Sequence, residues 1–87
     1  MVTVKKFSAA WCGPCRMLAP VMNEIKSKYP NVKFEDIDID EYTSEVEKYG
    51  VTSVPTVIIE KNGQLFERFT GLQSKIAYQN SINEAIK

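Results

Sequence analysis

The sequence predicts an α/β fold with the element order βαβαββα, in which three helices flank a four-stranded mixed sheet. Three observations predict this fold. Short β-branched runs alternate with segments whose apolar residues recur every three or four positions. An Asn62-Gly63 pair, a strong β-hairpin signal, separates the last two strand-like runs. Finally, 87 residues suffice for only one domain, so we expect residues 1–87 to form a single domain.

The first strand and the long first helix follow from a change in periodicity. Val2 and Val4 alternate with polar residues, which predicts a strand that ends near Ser8. After Cys12 the apolar residues form one helical stripe. Pro20 lies within that stripe and should bend the helix, because it lacks a backbone N–H and crowds the preceding turn. The stripe comprises Leu18, Val21, Met22, Ile25 and Tyr29.

The middle of the chain predicts two more strands around a short helix. Val32–Ile39 is the second strand, and Tyr42–Tyr49 is a helix closed by Gly50, a common left-handed cap residue. Val54–Ile59 is the third strand. The Asn-Gly turn then brings the chain back as a fourth strand, Leu65–Phe69, which is antiparallel to the third.

Ser74 predicts the start of the last helix, because its side chain can cap the first turn. Strands that alternate with helices favour right-handed crossovers and parallel pairing, whereas the hairpin adds an antiparallel edge. The product is a mixed sheet covered by helices. The apolar face of the last helix comprises Tyr78, Ile82, Ala85 and Ile86.

Composition excludes several classes of partner. Lys plus Arg and Asp plus Glu number 11 each, so no net charge is available to recruit nucleic acid or an anionic membrane surface. No apolar run approaches the roughly 20 residues of a transmembrane helix. Neither a basic stretch nor a long apolar segment follows Met1, so no targeting peptide is evident. We expect a cytoplasmic monomer with no nucleic-acid or membrane partner.

The segment that carries chemistry is Trp11-Cys12-Gly13-Pro14-Cys15, at the junction of the first strand and the long helix. A helix N-terminus presents unpaired N–H groups and a partial positive charge, which stabilise a thiolate at Cys12. Cys15 lies one turn into the helix, within reach of a mixed disulfide on Cys12. Gly13 lets the backbone turn tightly, and Pro14 needs no N–H donor in the first turn. Trp11 forms an apolar wall beside the dithiol.

Three other interpretations of the cysteine pair are weaker. A disulfide across so short a loop restricts the unfolded chain too little to be a structural staple. A zinc site needs about four ligands, and the chain has no His and only two Cys; a metal shared between two subunits stays open. Inert buried thiols do not need Gly-Pro between them. The sequence favours a redox-active pair that requires no cofactor.

These residues resemble the thioredoxin family through nearly the whole chain. The Trp11–Cys15 box is highly specific to that family. Pro20 matches its helix-kinking proline, and Ser53–Thr56 resembles the segment that carries its cis-proline. The Asn62-Gly63 turn and Gly71 match its late turn and its substrate-groove glycine. The match therefore covers the strands and helices as well as the cysteines.

The resemblance implies a substrate groove beside the dithiol. Pro55 is expected to follow a cis bond and to pack next to the cysteines, while Val54 offers backbone hydrogen bonds to an extended substrate. Gly71 belongs to the same groove. An ordinary trans proline on an edge strand is the alternative for Pro55. The family generally begins with an extra strand and helix that this sequence lacks, so four strands are expected where five are usual.

A second departure concerns a charged pair. Six residues before the first cysteine the family usually has a buried acid paired with a lysine on the next strand, but the matching residues here are Lys6 and Asp36. Lys6 is in phase with Val2 and Val4, and Asp36 with Phe34, so each points to the inner face of its strand. Strands one and two are neighbours in a right-handed βαβ unit. The two side chains are therefore expected to meet under the dithiol.

Our hypothesis is that Asp36, held near Lys6, exchanges the proton of Cys15 directly or through water. The alternative is a solvated lysine and an unrelated surface aspartate, since Lys and Asp are mostly exposed. The further acids Asp38, Asp40 and Glu41 do not have the spacing of a calcium loop. Their position before the second helix is explained by the favourable interaction of acids with a helix N-terminus.

The function implied is thiol-disulfide exchange that reduces disulfides in other proteins. Cys12 attacks the substrate, Cys15 resolves the mixed disulfide, and the resemblance implies a flavin-dependent thioredoxin reductase as electron donor. The expected roles are electron transport and cell redox homeostasis. A glutathione-dependent, glutaredoxin-like reductase is one alternative, although Leu72 after Gly71 departs from that family's Gly-Gly-acid pattern. A non-redox accessory subunit that uses the surface around Trp11 is another.

Overall fold

Seven elements follow one another in the predicted order, and the computed structural model describes residues 1–87 throughout. None of the three helices has the length and apolar character that crossing a bilayer requires. The elements are β1 (Val2–Ser8), α1 (Gly13–Lys28), β2 (Lys33–Asp38), α2 (Thr43–Tyr49), β3 (Thr56–Lys61), β4 (Gln64–Thr70) and α3 (Lys75–Ala85).

The four strands form one mixed sheet in the order β2-β1-β3-β4. As expected, β1 and β2 are parallel on either side of α1, with Lys6 opposite Asp36. In contrast to the predicted crossover, β3 is antiparallel to β1, and Phe7 faces Thr56. The reason is the length of α2. Its 7 residues rise only about 10 Å, half the length of a strand, so β3 begins at the same end of the sheet at which β2 ends, with Thr56 opposite Phe7.

The hairpin and the helix ends follow the local signals of the sequence. Asn62 and Gly63 both have positive φ, at 54° and 81°, as a two-residue turn of the favoured type requires. Gly50 closes α2 in the left-handed conformation. The Ser74 hydroxyl accepts a hydrogen bond from the Ala77 N–H at 3.2 Å and caps α3. Helix α1 continues through Pro20 to Lys28.

The core has two layers, one on each face of the sheet. Tyr78 is fully buried, and its ring meets Phe69 edge-on with centroids 5.1 Å apart. Burial raises the pKa of Tyr78. Ile86, predicted on the same apolar face of α3, is instead 51% exposed because it lies past the helix end. The α1 and α3 side buries Val2, Val4, Leu18, Met22, Ile25, Val57, Ile59, Tyr78 and Ile82, and the α2 side buries Phe7, Ile37, Val51 and Ile58.

Candidate active site

The two cysteines form a disulfide at the start of α1, with their Cα atoms 5.3 Å apart. Cys12 is the N-cap residue, and its sulfur accepts a hydrogen bond from the Cys15 N–H at 3.2 Å. Each residue is only 5% exposed. No acidic residue lies in the first turn of the helix to oppose a negative sulfur. The predicted location at a helix N-terminus is therefore confirmed, and the backbone already donates to the atom that would carry the charge.

The residues between the cysteines form the first helical turn. Gly13 begins α1 and Pro14 follows it, where a missing N–H costs no hydrogen bond. Gly13 does not have a positive φ, contrary to the expected tight turn. A Cβ built at this position would meet no atom within 4 Å. Gly13 thus leaves the surface beside Cys12 open rather than satisfying a backbone requirement.

Trp11 stands beside the dithiol with 65% of its surface exposed. Its indole N–H donates to Asp40 Oδ2 at 3.1 Å, and the Asp40 N–H donates to Asp38 Oδ1 at 2.9 Å. Both carboxylates thus have hydrogen-bond partners of their own, while Glu45 is the acid within the first turn of α2. The turn that follows β2 fixes the indole through Asp40, a role that spacing alone does not reveal.

The predicted cis-proline segment forms the other side of the site. The Val54–Pro55 bond is cis, so the alternative of a trans edge-strand proline is wrong. Val54 packs against the cluster that contains both cysteines. The Pro55 carbonyl accepts a hydrogen bond from the Gly71 N–H at 2.8 Å, and Gly71 has φ of 82°, a conformation that favours glycine. The expected groove residues are thus joined to one another.

Lys6 and Asp36 pair as their phase in the two strands predicts. The Lys6 Nζ lies 3.0 Å from Asp36 Oδ1. The alternative of a solvated lysine and an unrelated aspartate is wrong, because the Lys6 side chain is only 11% exposed. The Asp36 side chain, however, is 77% exposed. The pair therefore joins a buried ammonium to a carboxylate at the surface, and proton exchange by Asp36 stays a prediction.

A cavity of about 300 Å³ adjoins Cys15, and it includes an acid, Asp38, to which the sequence analysis gave no role at the cysteines. Lys6, Cys15 and Asp38 all line it, whereas Asp36 does not. The register places Asp38 opposite Ser8, at the end of β1 that leads into the dithiol. Its phase with Asp36 along β2 was a usable signal, since both point to the α1 side of the sheet.

Together the mixed sheet and the dithiol at a helix N-terminus define a thiol-disulfide oxidoreductase. The thioredoxin family model matches residues 1–84. The chain belongs to the thioredoxin family. It is 39% identical to the thioredoxin of Bacillus subtilis over 84 residues, which cover 95% of this chain and 81% of the relative. It is 42% identical to the thioredoxin of Chlamydia pneumoniae over 78 residues, which cover 90% and 76%.

Solved structures agree with this assignment. A mutant thioredoxin from Halobacterium salinarum superimposes with a TM-score of 0.93 at 34% identity, covering 99% of this chain and 75% of that one. A thioredoxin from Nicotiana alata gives 0.91 at 37% identity, covering 97% and 72%. A third structure concerns thiol resolution in a yeast mitochondrial 1-Cys peroxiredoxin by the glutathione and thioredoxin systems. It has a TM-score of 0.88 at 32% identity, and the match covers 95% of this chain and 77% of that one. The protein is a protein-disulfide oxidoreductase.

Proposed function

We propose that the protein works in the reducing direction, as a monomer in the cytoplasm, and transfers electrons to disulfides in other proteins. The observation that carries the exchange chemistry is the hydrogen bond from the Cys15 N–H to the Cys12 sulfur at the N-cap of α1, and the Gly13-Pro14 insert favours the reducing direction. This donor and the helix dipole favour the thiolate over the thiol at Cys12. A stabilised thiolate is both a ready nucleophile and a good leaving group.

The reaction has two exchange steps. The Cys12 thiolate attacks one sulfur of the substrate disulfide and releases the other sulfur as a thiolate, so a mixed disulfide forms. Cys15 then loses its proton and attacks the Cys12 sulfur. The Cys12–Cys15 bond forms, the second substrate sulfur departs, and two electrons have passed to the substrate. A flavin-dependent thioredoxin reductase is the proposed donor that restores the dithiol, which places the protein in electron transport and redox homeostasis.

The substrate chain is proposed to lie extended between Trp11 and the cis-proline segment. Val54 is outside β3, and neither its N–H nor its carbonyl pairs with another backbone group. Both are free to form the ladder hydrogen bonds of an added strand. Exposed apolar side chains at Trp11 and Leu72 flank this position. A 1-Cys peroxiredoxin, as in the yeast structure above, is one substrate of suitable chemistry.

Insulin-disulfide reduction tests the proposal. With dithiothreitol as reductant, the wild type should precipitate the insulin chains rapidly, and Cys12→Ser should reduce the rate to that of dithiothreitol alone. Reduced Cys15→Ser, mixed with insulin after the dithiothreitol has been removed, should instead accumulate the mixed disulfide, visible as a covalent complex on a non-reducing gel. Turnover with glutathione that equals turnover with NADPH and thioredoxin reductase would favour the glutaredoxin-like alternative. A cellular role kept by the double serine variant would favour the non-redox subunit.

A further inference from the structure

The cavity beside Cys15 contains the only carboxylate that shares a space with the resolving thiol. Cys15 contributes from α1, Lys6 from β1 and Asp38 from the end of β2. Asp36, two residues earlier on β2, lies outside the cavity and turns to the Lys6 ammonium. One strand step of two residues moves a side chain about 6–7 Å along the sheet. That step brings Asp38, and not Asp36, to the end of the sheet where α1 begins.

The surroundings of Asp38 leave it free to act on a proton. Its Oδ1 accepts the Asp40 N–H at 2.9 Å, and no salt bridge engages the carboxylate. The cations facing the cavity are Lys6, paired with Asp36, and Arg16, whose guanidinium donates to the Ala10 carbonyl. A cavity of about 300 Å³ has room for several water molecules, which need about 30 Å³ each. A proton can therefore cross between the thiol and the carboxylate.

We propose that Asp38 is the group that accepts the Cys15 proton in the resolving step, an inference that rests on the proposed function. The Cys15 S–H bond breaks, and its proton passes through cavity water to the Asp38 carboxylate. The Cys15 thiolate attacks the Cys12 sulfur, the bond between Cys12 and the substrate breaks, and the substrate leaves as a thiolate. Asp38 then returns its proton to solvent or to that thiolate. The reverse reaction uses the same carboxylate as the proton donor.

Stopped-flow reaction of the reduced protein with dithiobis(nitrobenzoate) separates the two steps. Release of the first thionitrobenzoate reports attack by Cys12, and release of the second reports attack by Cys15. Asp38→Asn keeps an oxygen for the Asp40 N–H but cannot take a proton. It should slow the second release about tenfold or more near pH 7, as loss of a general base does, and leave the first release within about twofold. The difference in the second release rate between Asp38→Asn and the wild type should shrink toward about pH 9, where hydroxide removes the Cys15 proton.

Asp36→Asn is the matched control, because it removes the same charge from the same face of β2. We expect it not to slow the second release, since it frees the Lys6 ammonium to stabilise a thiolate. Asp38→Glu should restore part of the rate lost in Asp38→Asn. A second release that is unchanged or faster in Asp38→Asn would show that Asp38 acts only as a nearby charge, and would overturn the inference.

The remaining outcomes also decide the question. A second release slowed by Asp36→Asn but not by Asp38→Asn would assign the proton transfer to Asp36 and overturn the inference. If Asp38→Asn slows the second release by the same factor at all pH values, the cause is a packing defect, and this result would also count against the inference. A wild type without a rapid first release would overturn the proposed function, and the inference with it.

Discussion

Lys5 and Lys6 are neighbours in β1, yet they face opposite sides of the sheet and different surroundings. The Lys5 Nζ lies 3.6 to 3.8 Å from the carboxylates of three glutamates and 5.0 Å from the centre of the Tyr49 ring. The Lys6 Nζ has one carboxylate partner, the exposed Asp36. Side-chain exposure is similar, at 13% for Lys5 and 11% for Lys6. The three glutamates are Glu35, Glu45 and Glu60.

The difference separates a structural ammonium from a functional one. Around Lys5 the negative charge exceeds the positive, and four elements converge on one cation: β1, β2, β3 and α2. Around Lys6 the balancing charge is solvated, so water screens it more strongly than it screens the buried ammonium. Part of the Lys6 charge is therefore felt in the cavity that Cys15 lines. Lys5 should govern stability, and Lys6 should govern the thiols.

Lys5→Met tests the structural half of the comparison and should have the largest effect on folding. Its removal leaves three partly buried carboxylates that repel one another. Loss of one member of a buried ion cluster is strongly destabilising, but partial exposure reduces the cost here, so we expect about 1–3 kcal/mol. Urea unfolding of the oxidised protein measures this loss in the free energy of unfolding. Insulin reduction by the folded variant should match the wild type.

Lys6→Met is the control for that experiment, since only the exposed Asp36 loses a partner. Its free energy of unfolding should fall by less than about 1 kcal/mol. Equal destabilisation by the two substitutions would remove the distinction between the two lysines.

The functional half of the comparison predicts opposite shifts of the reduction potential. A cation near the cysteines stabilises the thiolate and hence the reduced form. Lys6→Met should therefore make the potential more negative by about 10–30 mV, where 30 mV corresponds to about 1.4 kcal/mol for two electrons. Asp36→Asn leaves the Lys6 ammonium without its counter-charge and should make the reduction potential less negative. Equilibration with glutathione buffers, followed by thiol alkylation, measures both, and shifts of the same sign would contradict the electrostatic explanation.

Much of this architecture could be predicted because local signals and tertiary structure agree. The Asn62-Gly63 turn, the Ser74 cap and the Lys6–Asp36 pairing each follow from residue type and phase. The direction of β3 could not be predicted by counting alternating elements, because it depends on how far the short α2 travels. The role of Asp40 in holding the Trp11 indole is likewise set by the packing of β2 beside the dithiol.

The exposure of Asp36 also lay beyond the sequence. Period-two alternation gives the face of the sheet toward which a side chain points, but not whether another element covers it. Asp36 and Asp38 share that face, and they differ in that Asp38, but not Asp36, lines the space beside Cys15 at the start of α1. Sequence reasoning chose Asp36, and the structure adds Asp38, on the same face and beside Cys15, as a second carboxylate.

The smallest expected effect is a loss of stability at alkaline pH that sharpens the account of Lys5. Burial lowers the pKa of Lys5, but the neighbouring Tyr49 side chain and the charges of Glu35 and Glu60 outweigh burial and raise the pKa above 10.5. Burial raises the pKa of Tyr78 above 10.0, although its hydrogen bond with Gln73 opposes the shift. Both groups hold their protons more tightly in the folded chain than in the unfolded one.

Their stabilising contribution should therefore be complete below about pH 10 and be lost as the pH rises through the folded-state pKa values. Urea midpoints measured between about pH 8 and 11 should fall at the alkaline end for the wild type and fall less for Lys5→Met and Tyr78→Phe. A wild-type midpoint that rises with pH in this range would reverse the sign of both shifts. If Lys5→Met leaves the pH dependence of the urea midpoint unchanged, the glutamates around Lys5 do not hold its proton. The contrast between Lys5 and Lys6 would then depend only on the cavity that Lys6 lines beside Cys15.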